Sequence, residues 1–136
     1  MSLVEPFPSP IVDALSASGI PSADLLIGIA FDLNERSHIC QRWICATRTT
    51  VIVYEADGDA TKVVRTCDIA SIRDAKTETL VGCGALVLSS GTDTIEIARY
   101  TTMYAARMTG AARVLSAVAK ANELPVAGID DNDKVC

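Results

Sequence analysis

Cations are scarce in this chain and nowhere concentrated. Lys and Arg total 12 against 17 Asp and Glu, for a formal net charge of -5 over 136 residues. Polyanion binding draws its affinity from counterions released at basic contacts, so this balance argues against nucleic acid as a partner. It argues equally against an anionic membrane surface. Aromatic residues are only 4% of the chain, so the core has to be filled mainly by Val, Ile, Leu and Ala rather than around an aromatic-lined pocket. Long apolar runs are missing too. The stretch from Leu25 to Phe31 is far short of the roughly 20 residues needed to cross a bilayer, which predicts no membrane span in this chain. The N-terminus opens acidic and proline-rich where an export signal would be basic, and a cytoplasmic location is therefore expected.

The length suits one domain with one real core. Hydrophobic residues make up 49% of it, as in ordinary globular proteins. The five cysteines, Cys40, Cys45, Cys67, Cys83 and Cys136, are odd in number and show no paired pattern. Without an export signal they are expected to be reduced thiols acting as small hydrophobes, not disulfides.

Periodicity divides the chain. Pro6, Pro8 and Pro10 predict a loose arm over residues 1 to 8. Ser9 as N-cap with Pro10 at the first helical position starts a short helix over about 10 to 18, stopped by Gly19. From Asp24 the period becomes two. Leu25, Ile27, Ile29, Phe31 and Leu33 alternate with Leu26, Gly28, Ala30 and Asp32, the pattern of a half-buried strand. Further strands are expected over Gln41 to Thr47, Thr49 to Glu55, Lys62 to Thr66, Ile69 to Thr77, Gly84 to Ser89 and Thr94 to Tyr100. The turn at Asp57-Gly58-Asp59 and the turn around Gly91 join neighbours, and connections this short force antiparallel pairing.

The last element reads as one helix over 101 to 121, capped by Thr101 or Thr102 and ended by Asn122 with Pro125. Tyr104, Met108, Ala111, Leu115 and Val118 lie on one stripe of it, with Arg107 and Arg113 beside the stripe. Strands first and one helix last predicts an α+β domain, a small β-sandwich or open barrel closed by the helix. Residues 126 to 136, with Gly128 and three aspartates, read as linker.

The candidate constellations carry little chemistry. His38, Cys40 and Cys45 are the one cluster of metal-ligand types, but a structural zinc site needs four ligands, commonly in two close pairs. With His38 as the single histidine, no base stands beside any nucleophile, and there is no G-x-S-x-G elbow. Gly82-Cys83-Gly84 lacks both the Lys-Ser/Thr of a phosphate loop and dinucleotide spacing, and reads as a tight bend or bulge. Arg36, Arg42 and Arg48 near the first hairpin are candidates for a phosphorylated headgroup, with solvated surface charge as the other reading. No catalytic, cofactor-binding or metal-ligating residue is assigned.

The stretch from Arg42 to Lys120 resembles the N-terminal pleckstrin-homology-like domain of bacterial exporter-type ABC transporters. The matching residues are Trp43-Ile44-Cys45-Ala46-Thr47-Arg48, Val51-Ile52-Val53-Tyr54, Thr79-Leu80-Val81-Gly82-Cys83-Gly84-Ala85-Leu86 and Glu96-Ile97-Ala98-Arg99-Tyr100 leading into the helix. The resemblance implies a seven-stranded antiparallel sandwich or barrel over 24–122, preceded by the arm and short helix of 1–23 and followed by a linker over 123–136. It further implies that Lys134-Val135-Cys136 enters a zinc-ribbon-like segment ahead of the transmembrane and nucleotide-binding parts. The expected role is that of a non-catalytic accessory domain without a cofactor, docking on its own transporter at the cytoplasmic face of the membrane. A stand-alone lipid- or ligand-binding module and a small thiol or metal protein are the alternatives. Docking is expected through a strand edge, which also permits self-association, or through the loops Asn34 to Gln41 and Asp57 to Ala60.

Overall fold

The computed structural model describes residues 3–57, 60–90 and 93–127; of Asp57 and residues 122–127 only the backbone is described. The tips of the turns at Gly58-Asp59 and Gly91, and the tail from Gly128 through Lys134-Val135-Cys136, lie outside the described residues.

Helix α1 (Ser9–Ala17) is followed by seven strands: β1 (Ile27–Leu33), β2 (Ile39–Ala46), β3 (Thr50–Asp57), β4 (Ala60–Asp68), β5 (Asp74–Leu80), β6 (Cys83–Ser89) and β7 (Thr94–Tyr100). Helix α2 (Ala105–Ala127) is the last element among the described residues. The strands form one antiparallel sheet in the order β4-β3-β2-β1-β7-β6-β5. The result is an α+β fold with a C-terminal helix. Two meanders, β1–β4 and β5–β7, meet where the first strand joins the last, and that seam holds a single ladder pair, Leu33 with Arg99.

Side-chain alternation sorts the first meander into two faces. Ile27, Ile29, Phe31, Ile44, Ala46, Val51 and Val53 point into the main core with Leu86, Leu88 and Ile97, and α2 covers them through Met108, Ala111, Ala112, Leu115 and Ala119. The helical stripe is therefore as expected, with Val118 and Tyr104 half-buried at its margin. The alternate residues Cys45, Ile52 and Tyr54 enter a second cluster with Ile11 and Leu15 of α1, against which Trp43 and Phe7 pack. β1 is thus covered on both faces, and Gly28 is buried like its neighbours. The strand expected to be half-buried is covered on its second face as well, because Phe7 of the N-terminal arm lies over Gly28 on the side that looked solvent-facing, while α1 packs against the neighbouring β3 and β4.

Several boundaries differ from the sequence reading. α1 begins at Ser9 rather than after it, with Pro8 as the capping residue and no side-chain cap; the backbone N–H groups of Ile11 and Val12 both donate to the Pro8 carbonyl. Ile69 to Ser71 is a 3₁₀ turn, and β5 starts only at Asp74, where pairing with Ser89 on β6 sets its register. Thr101 does not cap α2. A 3₁₀ turn over Thr102–Tyr104 intervenes, and Thr101 is bonded to Asp32 instead. α2 runs on to Ala127, past Asn122 and Pro125; Pro125 removes one backbone donor within the last turn.

The arm also differs from expectation. Leu3 to Glu5 pairs with β1: the Gly28 N–H donates to the Leu3 carbonyl at 2.8 Å, and the Glu5 N–H donates to the Gly28 carbonyl at 2.9 Å. The prolines that forbid a ladder begin at Pro6, one residue after this short parallel bridge ends.

Candidate functional site

Antiparallel pairing puts the β1–β2, β3–β4 and β6–β7 connections at one end of the sheet; of the candidate docking loops, Asn34 to Gln41 is described there, and the tip of Asp57 to Ala60 lies outside the described residues. The β1–β2 turn is tightly built. Asn34 Oδ1 accepts from the backbone N–H groups of Arg36 at 2.9 Å and His38 at 3.0 Å, and Ser37 adopts a φ of 61°. An Asx side chain that bonds its own turn in this way holds the backbone without a ladder. Two arginines anchor the turn from either side. Arg99 on β7 donates to Ser37 Oγ at 2.9 Å while gripping Glu96 with two further bonds at 3.1 and 2.7 Å.

On the other side Arg42 of β2 lies between Glu55 of β3 at 2.8 Å and Glu35 of the turn at 3.0 Å, and Lys62 of β4 stands 3.3 Å from the second oxygen of Glu55. The Arg42 side chain is only 11% exposed. Burial works against its charge, but the hydrogen bonds to Glu55 and Glu35 outweigh that and raise its pKa. Glu55 is held below the usual carboxylate range, first by Arg42 and then by Lys62. Glu35 is also lowered, first by its own backbone N–H and then by Arg42.

This network takes up one of the three arginines that a phosphorylated headgroup would need. Arg42 spends its fork on two carboxylates, Arg36 is exposed in the turn, and Arg48 belongs to the β2–β3 turn at the opposite end of the sheet. The structure does not bring the three together. At Arg48's end lies a groove of about 630 Å³ between the α1–β1 connection and the β2–β3 turn, lined by Gly19, Asp24, Leu26, Arg48, Thr50 and Ile52 among others. Its threonines serve the turn itself, since Thr47 Oγ1 accepts from the N–H groups of Thr49 and Thr50, each at 3.2 Å.

The metal-ligand types are placed as follows. His38 is exposed, Cys45 is buried beneath α1, and among the described residues no three His, Cys, Asp or Glu side chains are grouped to hold a metal. Cys40, Cys45, Cys67 and Cys83 are free thiols. Burial pushes Cys45 up to about 12 and raises Cys40 and Cys67 as well. A nucleophilic cysteine needs the reverse shift, toward thiolate. Of Gly82-Cys83-Gly84, expected as a tight bend or bulge, only Gly82 is in the turn, with a φ of 76°, while Cys83 and Gly84 are already paired in β6 and Gly84 lies beneath the Tyr100 ring.

The sequence reading missed the ion-paired network and the arm's seat on β1. Arg42 and Glu55 are neighbours across the β2–β3 hairpin, so the cross-strand register carried the first signal. The second had none, because three residues ahead of a proline run show no period. Among the described residues no helix is long and apolar enough to cross a membrane. The chain matches no protein-family model and no curated protein.

Proposed function

We propose that this chain is a pleckstrin-homology-like, non-catalytic accessory domain of a bacterial exporter-type ABC transporter, working at the cytoplasmic face by docking on the rest of its own transporter. The observation that carries the reading is the topology. Seven antiparallel strands run as two meanders, and a C-terminal helix fills the core between them, which is the arrangement implied by the residues from Arg42 to Lys120. The turn end supports a protein partner over a lipid headgroup: its half-buried cation is neutralised by Glu35 and Glu55, so a phosphate would have to compete with two carboxylates already in place.

Edge pairing is the weaker mode of association. The outer strand β4 carries Lys62 and Arg65 and is broken by a bulge between its pairs to Val53 and Tyr54, both devices that discourage strand addition. The other outer strand, β5, is partly closed by α2. Ser116 Oγ accepts from the Ala75 N–H at 3.0 Å and lies 2.8 Å from both the Ala75 carbonyl and Asp74 Oδ1.

Flotation with vesicles tests the choice between docking domain and lipid module. The chain should stay with the unbound fraction on both neutral vesicles and vesicles bearing phosphorylated headgroups. Salt-sensitive flotation on the latter, lost in Arg36→Gln or Arg42→Gln, would establish the lipid module instead.

A further inference from the structure

Between Ile27 and Ala30 the edge of β1 that faces β7 has no β7 partner, because β7 reaches β1 only at Leu33. The arm fills that gap. Gly28 bonds it through both its N–H and its carbonyl, and the Ala30 N–H donates to Glu5 Oε1 at 3.2 Å. The other Glu5 carboxylate oxygen takes the Arg107 guanidinium of α2. Leu3 lies over Gly110 of α2, where an added Cβ would stand 3.4 Å from Leu3 Cδ2. Phe7 covers Gly28, where an added Cβ would come within 2.4 Å of the ring, and its centroid lies 5.0 Å from that of Trp43. β1 and α2 thus build a slot that recognises an apolar and an acidic residue at alternate positions of an extended segment, and Phe7 seats beyond them on Gly28 beside Trp43 of β2.

We propose that this slot is a strand-accepting site that takes the arm of a second copy of the chain as well as its own, giving arm-exchanged dimers. The hydrogen bonds from Gly28 and Ala30 and the Arg107 ion pair that hold Leu3 to Glu5 come from β1 and α2, and the arm joins α1 through Pro6 to Pro8, where both prolines are exposed while Phe7 packs against the cluster that holds Ile11 and Leu15 of α1. The same bonds therefore form in trans as in cis, and exchanging an identical element is a low-cost route to a dimer. The tether favours the chain's own arm up to its effective concentration, roughly millimolar for a short linker, so the wild-type chain is a monomer when dilute and exchanges when concentrated. The proposal rests on the arm's contacts and is independent of the transporter reading.

Charge reversal isolates the exchange. Glu5→Arg leaves a proper slot but an arm that Arg107 repels, and Arg107→Glu leaves a proper arm but a slot that repels it. Each full-length variant alone should be monomeric at tens of micromolar by light scattering. An equimolar mixture should form a heterodimer, because only in trans does each arm meet the opposite charge at position 107, although the Glu5→Arg arm forgoes the Ala30 N–H bond. A mixture that stays monomeric, with both variants folded by circular dichroism, would overturn the proposal. Should either variant fail to fold, a labelled peptide of residues 1–8 titrated into the wild-type chain to well beyond the arm's roughly millimolar effective concentration decides it: displacement of the chain's own arm that weakens at least tenfold for the same peptide carrying Glu5→Arg is expected, and absence of binding at about ten times that concentration would overturn it.

Discussion

The Asp32 carboxylate on β1 accepts two hydrogen bonds from Thr101, one from its backbone N–H at 3.0 Å and one from its hydroxyl at 2.7 Å. With a single ladder pair between β1 and β7, this contact and the Arg99 bond to Ser37 add polar links across the seam to the core that the two meanders share. Asp32→Ala removes both acceptors at once and leaves a part-buried N–H unpaired, so a loss of about 2–3 kcal/mol is expected from urea unfolding. Asp32→Asn keeps one acceptor and should lose less. Equal stability of Asp32→Ala and wild type would mean the seam is held elsewhere.

Leu115 is 2% exposed and lies at the centre of the stripe that α2 presents to the sheet. Leu115→Ala should cost about 2–5 kcal/mol through the cavity it leaves. Leu115→Asp should cost more, since a buried carboxylate would have no partner. Chemical denaturation of both variants checks the order, and an unchanged midpoint would contradict the docking face of α2.

Gly84 faces the ring of Tyr100 on β7, and a Cβ added there would come within 2.6 Å of it. Gly84→Ala therefore forces a fully buried ring to move, at about 1–3 kcal/mol. Gly19 stands in open space but has a φ of 73°, so the strain of Gly19→Ala is conformational only. Thermal melts should rank Gly84→Ala as the more damaging of the two; the reverse order would contradict a firmly held Tyr100 ring.

Cys45, with its thiol pushed up to about 12 by burial, should resist an aromatic disulfide reagent at pH 8 while the protein is folded. In urea all thiols should react. Titration of native protein in which the other cysteines are replaced by serine would show the difference, and fast native labelling of Cys45 would contradict its seat beneath α1.

Acid should weaken the turn end. Glu55 and Glu35 have lowered pKa values, so they bind protons less readily folded than unfolded. Their contribution is complete above the ordinary glutamate value near 4.5 and is lost as pH falls through the lowered folded values. Stability measured between about pH 5 and 3 should therefore drop with acid, less steeply in Glu55→Gln. An identical slope in that variant would show that Arg42 and Lys62 do not favour the charged form.

Much of the fold was legible because the sheet writes itself as period two. Ile27, Ile29 and Phe31 on β1, and Met108, Ala111 and Leu115 on α2, declare one shared core. The strand over Ile69 to Thr77 was misplaced because the two isoleucines that suggested it are core residues of a 3₁₀ turn and its exit, while Asp74 to Leu80 is polar on its open face. The second core was harder to see. Trp43, Cys45, Ile52 and Tyr54 are apolar at the alternate positions, which in hindsight calls for a cover on that face, yet nothing local in α1 says which sheet it covers. The arm's parallel bridge depends on the gap that β7 leaves, a property of the assembled sheet alone.

The reading as a transporter accessory domain is tested most directly by the coding sequence beyond Cys136. Paired cysteines close after Cys136, then six apolar spans of roughly 20 residues each, then a G-x-x-x-x-G-K-[ST] phosphate loop are the expected result. A stop codon within a few residues, or a continuation with neither apolar spans nor a phosphate loop, would contradict it.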